Sequence, residues 1–218
     1  MKLYTFQPLF VYECLVELGY FHPFSLFEHD SFLKDELMDE NYQWSFVKSY
    51  EWLKDQMNEK GVEYRVNNQH MIWAWYQWSG VKMPKPDKRY ASVFNYMQEP
   101  YVLMELEVDP KRVFLSDYHA WHHVLNYWYM ADEVESDAFK EKFNFYKEKP
   151  LSDLDAHKKI TDSWKKIFDF EASQNILEMT DQDQCIQATF FELFYTDITK
   201  VHFFENKRCT KILKIKHK

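Results

Sequence analysis

Residues 101–108 read YVLMELEV, and their alternation decides the fold class. Val102, Met104, Leu106 and Val108 fall on one face of a strand, and Glu105 and Glu107 on the other. Such a period of two predicts an antiparallel strand, one side on a core and the other wet or facing a ligand. Upstream, residues 71–78 (MIWAWYQW) form a strand that is aromatic on both faces, so it is expected to be central or to line a pocket. Val62–Val66 reads as a further strand. Between the aromatic strand and 101–108 lies a turn-rich basic loop, Ser79–Arg89 (SGVKMPKPDKR).

The chain opens with a short β-prone segment, Lys2–Gln7, closed by Pro8. A helix follows over Leu9–Leu18, with Gly19 as its C′ residue. Residues 28–41 are acidic and read as helix and loop. Phe46, Tyr50, Leu53 and Met57 then share one face of a helix over Tyr42–Lys60, which Gly61 stops. Downstream, Arg112–Leu115 continues the sheet, and Ser116 or Asp117 caps a helix over Tyr118–Met130. Charged residues 131–149 make another helix, and Ser152 caps a third that runs to Phe168. Residues 184–191, 201–204 and 210–216 are β-rich. The expectation is one α+β domain over 1–218, an antiparallel or mixed sheet with helices inserted between its strands.

Composition excludes several functions. The chain has 218 residues but only three glycines, Gly19, Gly61 and Gly80, and neither a GxxxxGK[ST] nor a GxGxxG motif. A P-loop or an ordinary Rossmann site is therefore excluded. Any nucleotide must be held by rings and long cationic side chains, and aromatic residues make up 19% of the chain. The net charge is −8, with a pI of about 5.6, so nucleic acid is allowed as a partner but not favoured. Charge is uneven: seven Lys/Arg against Glu205 make residues 200–218 +6 and leave the remainder −14. Lysine-guarded edge strands are common, and this tail reads as one. Cys14, Cys185 and Cys209 are odd in number and far apart, which suits a reducing cytoplasm. No signal peptide is read at the N-terminus, and no apolar run approaches the length of a membrane span.

Four groups of residues could carry chemistry. His119 and His123 lie one helical turn apart and could grip a metal, but no third ligand beyond Asp117 is named, so none is expected. Glu105 and Glu107 share a strand face and suit acid–base work or sugar binding. Trp73, Trp75, Tyr76 and Trp78 beside Lys85, Lys88 and Arg89 suit a planar phosphorylated ligand, by stacking and charge. Gln182, Gln184 and Gln187, near Thr189 and Glu192, face water or line a cleft.

LYTFQP (3–8), IWAWYQW (72–78) with KPDKR (85–89), LMELEV (103–108) followed by VFLSDYHAWHHVLN (113–126), and QATFFEL (187–193) together resemble one bacterial and phage family. It is known only as domain of unknown function 3841, and the resemblance spans nearly the whole chain. The opening LYTFQPLFVYECLVELGYF also resembles the start of ADP-ribosyltransferase-type folds. That likeness implies NAD as cofactor, bound in the cleft of a split β-sheet, with an aromatic holding the nicotinamide. The first-strand residue would be Thr5 or else Gln7, and the late acidic or amide residue Gln187 or Glu192. Neither Thr5 nor Gln7 is the His or Arg of those folds, which implies an altered catalytic set. On this reading Trp73, Trp75 or Tyr76 stacks on the ligand, and Lys85 or Arg89 meets phosphate. The alternative expectation is a non-catalytic protein-interaction module of a bacterial or phage defence or anti-defence system.

Overall fold

A computed structural model describes residues 1–23, 40–62, 70–80, 82–87, 100–143, 154–205 and 208–216. The fold is α+β. Strand β1 (Lys2–Pro8) leads into helix α1 (Leu9–Leu18), then β2 (Tyr20–Phe21), α2 (Glu40–Glu59), β3 (Ile72–Gln77) and β4 (Tyr101–Glu107). There follow β5 (Phe114–Asp117), α3 (Tyr118–Leu125), α4 (Glu133–Phe143), α5 (Leu154–Ser163) and α6 (Phe170–Ile176). The chain returns to the sheet with β6 (Ile186–Phe190), β7 (Leu193–Phe194), β8 (Ile198–Glu205) and β9 (Arg208–Lys214). No helix among the described residues is long and apolar enough to cross a membrane.

Seven strands form one sheet in the order β5–β6–β3–β1–β4–β8–β9, and every pairing is antiparallel. β2 and β7 make a separate two-stranded ribbon. Helix α1 starts after Pro8, which supplies a fixed φ and needs no N–H partner. It ends where Gly19 takes a left-handed φ of 82° and donates its N–H to Leu15 O. Val11 and Leu15 then pack on one face of the sheet with Leu3, Val102, Met104, Leu106, Ala188 and Val201. On the other face α2, α3 and α5 bury Leu53, Met57, Trp121, Val124 and Ile160 around Trp73 and Phe114. That same face carries a smaller aromatic cluster of Tyr4, Phe6, Tyr101, Leu103 and Phe204. The Tyr101 and Phe204 rings stack at 5.0 Å, a contact worth about 0.5–1.5 kcal/mol beyond its area.

Several expectations change. The second face of β4 is not wet, because the strand is central and its first six residues are buried; Glu107 alone is exposed. The helix after Asp117 stops at Leu125 instead of Met130, because Tyr127 turns left-handed at φ 59°. Trp128, inside the span expected to be helical, lies beyond the helix and is exposed. Asp117, not Ser116, caps α3, its carboxylate accepting from Ala120 N at 2.9 Å. The helix ending at Phe168 turns 3₁₀ from Trp164 onward. Helix α6 and the β2–β7 ribbon carry too few residues for a periodic signal. Arg112 fixes the ribbon side by a two-pronged contact to Asp197 at 2.9 and 3.0 Å and by donating to Glu192 O. The strand expected at 62–66 falls almost wholly outside the described residues, as does most of 28–41.

Candidate functional site

The seven-stranded sheet is held together unevenly. β1 pairs with β4 over seven residues, but with β3 through a single pair, Tyr4 and Trp75. Beyond that pair a side chain takes over: the Thr5 hydroxyl donates to Trp73 O at 2.7 Å, and Gln7 Nε2 donates to Thr5 Oγ1 at 2.9 Å. The sheet thus has a seam between its β5–β6–β3 and β1–β4–β8–β9 parts.

Register places one row of side chains across this seam. Ser116 stands opposite Gln187, Gln187 opposite Trp75, Trp75 opposite Tyr4, Tyr4 opposite Glu105, and Glu105 opposite Lys200. Directly opposed residues in antiparallel strands point to the same face. Gln187, Trp75 and Tyr4 are therefore neighbours on one surface. The Trp75 ring meets Tyr118 at 4.9 Å and Trp78 at 4.7 Å, the latter edge-on. Gln187 is buried, and its Nε2 donates to Ser116 Oγ at 3.1 Å, which fixes the amide.

A charge cluster continues the row. Glu105 is 4% exposed and is held by the Lys85 ammonium, by His202 Nε2 at 2.7 Å and by Lys200 at 3.2 Å. Burial alone would raise its pKa, but hydrogen bonds from Lys85, His202 and Lys200 outweigh this and bring the carboxyl down to about 2. Lys85 Nζ also sits 5.4 Å from the Tyr4 ring centroid, and Lys2 Nζ 5.9 Å from it. A groove of about 550 Å³, lined by Lys2, Tyr4, Tyr76, Gln77 and Pro84 among others, opens at this end of the sheet. Its size lies within the usual range for small-molecule sites.

The expected site residues divide. Gln187 and Trp75 meet in the row, Lys85 reaches its Tyr4–Glu105 segment, and the exposed Tyr76 lines the groove. Thr5 and Gln7 do not join them. Thr5 is fully buried on the opposite face, level with Met104 and Val201, and with Gln7 it braces the seam. Trp73 packs between α2 and α3, against Tyr50 at 6.0 Å and Trp121 at 5.4 Å. Glu192 lies past the end of β6, outside the row. Lys88 and Arg89 lie outside the described residues. Among the described residues no group of three His, Cys, Asp or Glu side chains could hold a metal, so His119 and His123 find no third ligand. Instead, the His123 ring meets Trp128 edge-on at 5.4 Å.

Tyr4, Tyr118 and His202 were not singled out from the sequence. Tyr4 was legible in one respect, since it alternates with Thr5 and must take the opposite face. His202 carries no local signal, because its partner Glu105 lies 97 residues away.

Comparison with known proteins gives a family without an activity. The model of the family described as domain of unknown function (DUF3841) matches residues 2–199, and the chain belongs to that family. No curated protein and no solved structure matches it.

Proposed function

We propose that this family member is an ADP-ribosyltransferase-like protein that handles NAD or a related nucleotide at the seam. The observation that carries this reading is the row Gln187–Trp75–Tyr4, set where the two parts of the sheet meet at one residue pair. The residues suit such a ligand chemically. Trp75 and Tyr118 offer ring faces for a planar group, the Gln187 carbonyl accepts from a sugar hydroxyl, and Lys85 offers charge to phosphate. Tyr4 takes the first-strand place that the sequence resemblance assigned to Thr5 or Gln7.

The chemistry of this set is limited in one way. Breaking a glycosidic bond to nicotinamide leaves positive charge on the ribose, which an anionic carboxylate stabilises. Gln187 is neutral and can orient the sugar but cannot supply that charge. The reading is therefore ligand binding with slow or altered transfer, in which Gln187 and Tyr4 position the ligand.

Incubation with labelled NAD tests it, with tryptophan fluorescence reporting ligand at Trp75. Saturable quenching that Gln187→Ala weakens is the expected result. Absence of both binding and label transfer at millimolar NAD removes the reading.

A second reading, a protein-interaction module, is favoured by Phe10, Val16, Leu18 and Tyr20. These large apolar side chains of α1 and β2 are all exposed. Exposed rings and aliphatics of this kind anchor protein interfaces. A stoichiometric protein partner lost on Leu18→Asp, together with no response to NAD, would favour it.

A further inference from the structure

The cations around Tyr4 exceed their counter-charges. Lys2 and Lys85 stand 5.9 and 5.4 Å from the same ring centroid, one from the strand and one from the loop that follows Pro84. Lys200 shares Glu105 with Lys85, and Lys214 stands opposite Lys200 in register. Against these, Glu105 is the buried carboxylate, and Glu107 stands opposite Lys2. Among the described residues the three lysines that reach Tyr4 or Glu105 stand against two carboxylates, a surplus of one positive charge.

Glu105 is the fixed element of this arrangement. It is sunk in the sheet, and its two oxygens contact Lys85, Lys200 and His202. Two ammonium groups drawn to one carboxylate repel each other, and a second anion in front of them relieves that repulsion. The groove is lined by Lys2, Tyr4 and Pro84, the residue before Lys85, and gives an anion access to this side of the cluster. Glycine is too scarce to cradle phosphate by backbone N–H groups, so ammonium groups must meet it.

We infer that the groove over Tyr4 is a diphosphate site, with Lys2 and Lys85 as the contacting cations and Glu105 as the residue that positions Lys85. It deepens the nucleotide reading, on which it rests for the remainder of the ligand. The favoured class is a ligand bearing a diphosphate, such as a dinucleotide or ADP-ribose, over a nucleoside. Glu105 touches no ligand and acts through Lys85.

The test titrates the full chain with inorganic pyrophosphate, ADP-ribose and adenosine by calorimetry. Pyrophosphate and ADP-ribose are expected to bind more weakly as salt rises, because the Debye length falls from about 10 Å at 0.1 M to about 3 Å at 1 M. Adenosine should bind at least about tenfold more weakly than ADP-ribose, since it lacks the charged hydrogen bonds to the lysines. Lys85→Gln and Lys2→Gln should each weaken pyrophosphate by about tenfold. Lys2 is exposed, so its replacement leaves the fold intact. Lys211→Gln, on the other face of β9, is the control and should change nothing. Adenosine equal to ADP-ribose, no pyrophosphate binding, or losses no larger than those of the control would overturn the inference. Lysine-dependent pyrophosphate binding without any NAD or ADP-ribose binding would keep the diphosphate site and remove the nucleotide reading.

Discussion

Replacing Glu105 by Gln should destabilise the protein in a way that disappears in acid. The folded carboxyl titrates at about 2 against an ordinary 4.5, a difference worth about 3 kcal/mol at 1.36 kcal/mol per unit. Glu105 is almost wholly buried, so solvent screening takes little from this figure. A depressed folded pKa means that the contribution is complete above the unfolded value. It is lost as pH falls through the folded one. Glu105→Gln removes the charge and leaves Lys85 and Lys200 facing each other without their shared anion. Loss of one partner from a buried pair typically costs about 3–5 kcal/mol, consistent with the linkage figure. The assay is urea unfolding at a series of pH values from 7 to 2, for both proteins. The wild-type advantage should be about 3 kcal/mol at pH 7, begin to shrink below about pH 5, and be nearly gone near pH 2. The m-values should match, so that the midpoint reports stability. An advantage that stays constant across this range would refute the claim that ionised Glu105 organises the cluster.

Three further outcomes are expected. At Gly80, with φ 61°, an added Cβ would fall 2.7 Å from Gln182 O, so Gly80→Ala should cost about 1–3 kcal/mol or more. A thermal midpoint lowered by at least about 2–4 °C checks this. The Cys185 thiol is pushed up to about 11, by burial first and then by Asp117 and Asp183. At pH 8 it should therefore resist a thiol reagent that labels the exposed Cys209, and react only on unfolding, as mass spectrometry of labelled peptides would show. Tyr127 is 1% exposed and packs against Trp44, His157 and Trp164, so Tyr127→Ala should cost about 3–5 kcal/mol in urea unfolding.

Much of the element list was legible because local rules set it. Pro8 and Gly19 bracket α1, Gly61 follows α2, and alternation marks β4. The candidate site was legible in part. Trp75, Gln187 and Lys85 were named from their types and neighbours, and they do approach one row. Thr5 takes the face opposite Tyr4, and the two differ only by phase. A shift of one residue along a strand moves a side chain to the other face, and sequence alone does not say which face holds the cleft.

Residue order by itself determined the α+β class, the antiparallel habit of β4 and the exclusion of a glycine-cradled phosphate. These follow from periodicity and from the few residue types that accept special backbone angles, and both act over a few neighbours. Tertiary structure alone decided that Glu105 is buried, that His202 and Lys85 are its partners, and that Tyr4, Trp75 and Gln187 adjoin. A carboxylate in an alternating strand reads as solvent-facing. It stays ionised inside the protein only because strand β8 and a loop, both distant in sequence, bring two ammonium groups and an imidazole to it.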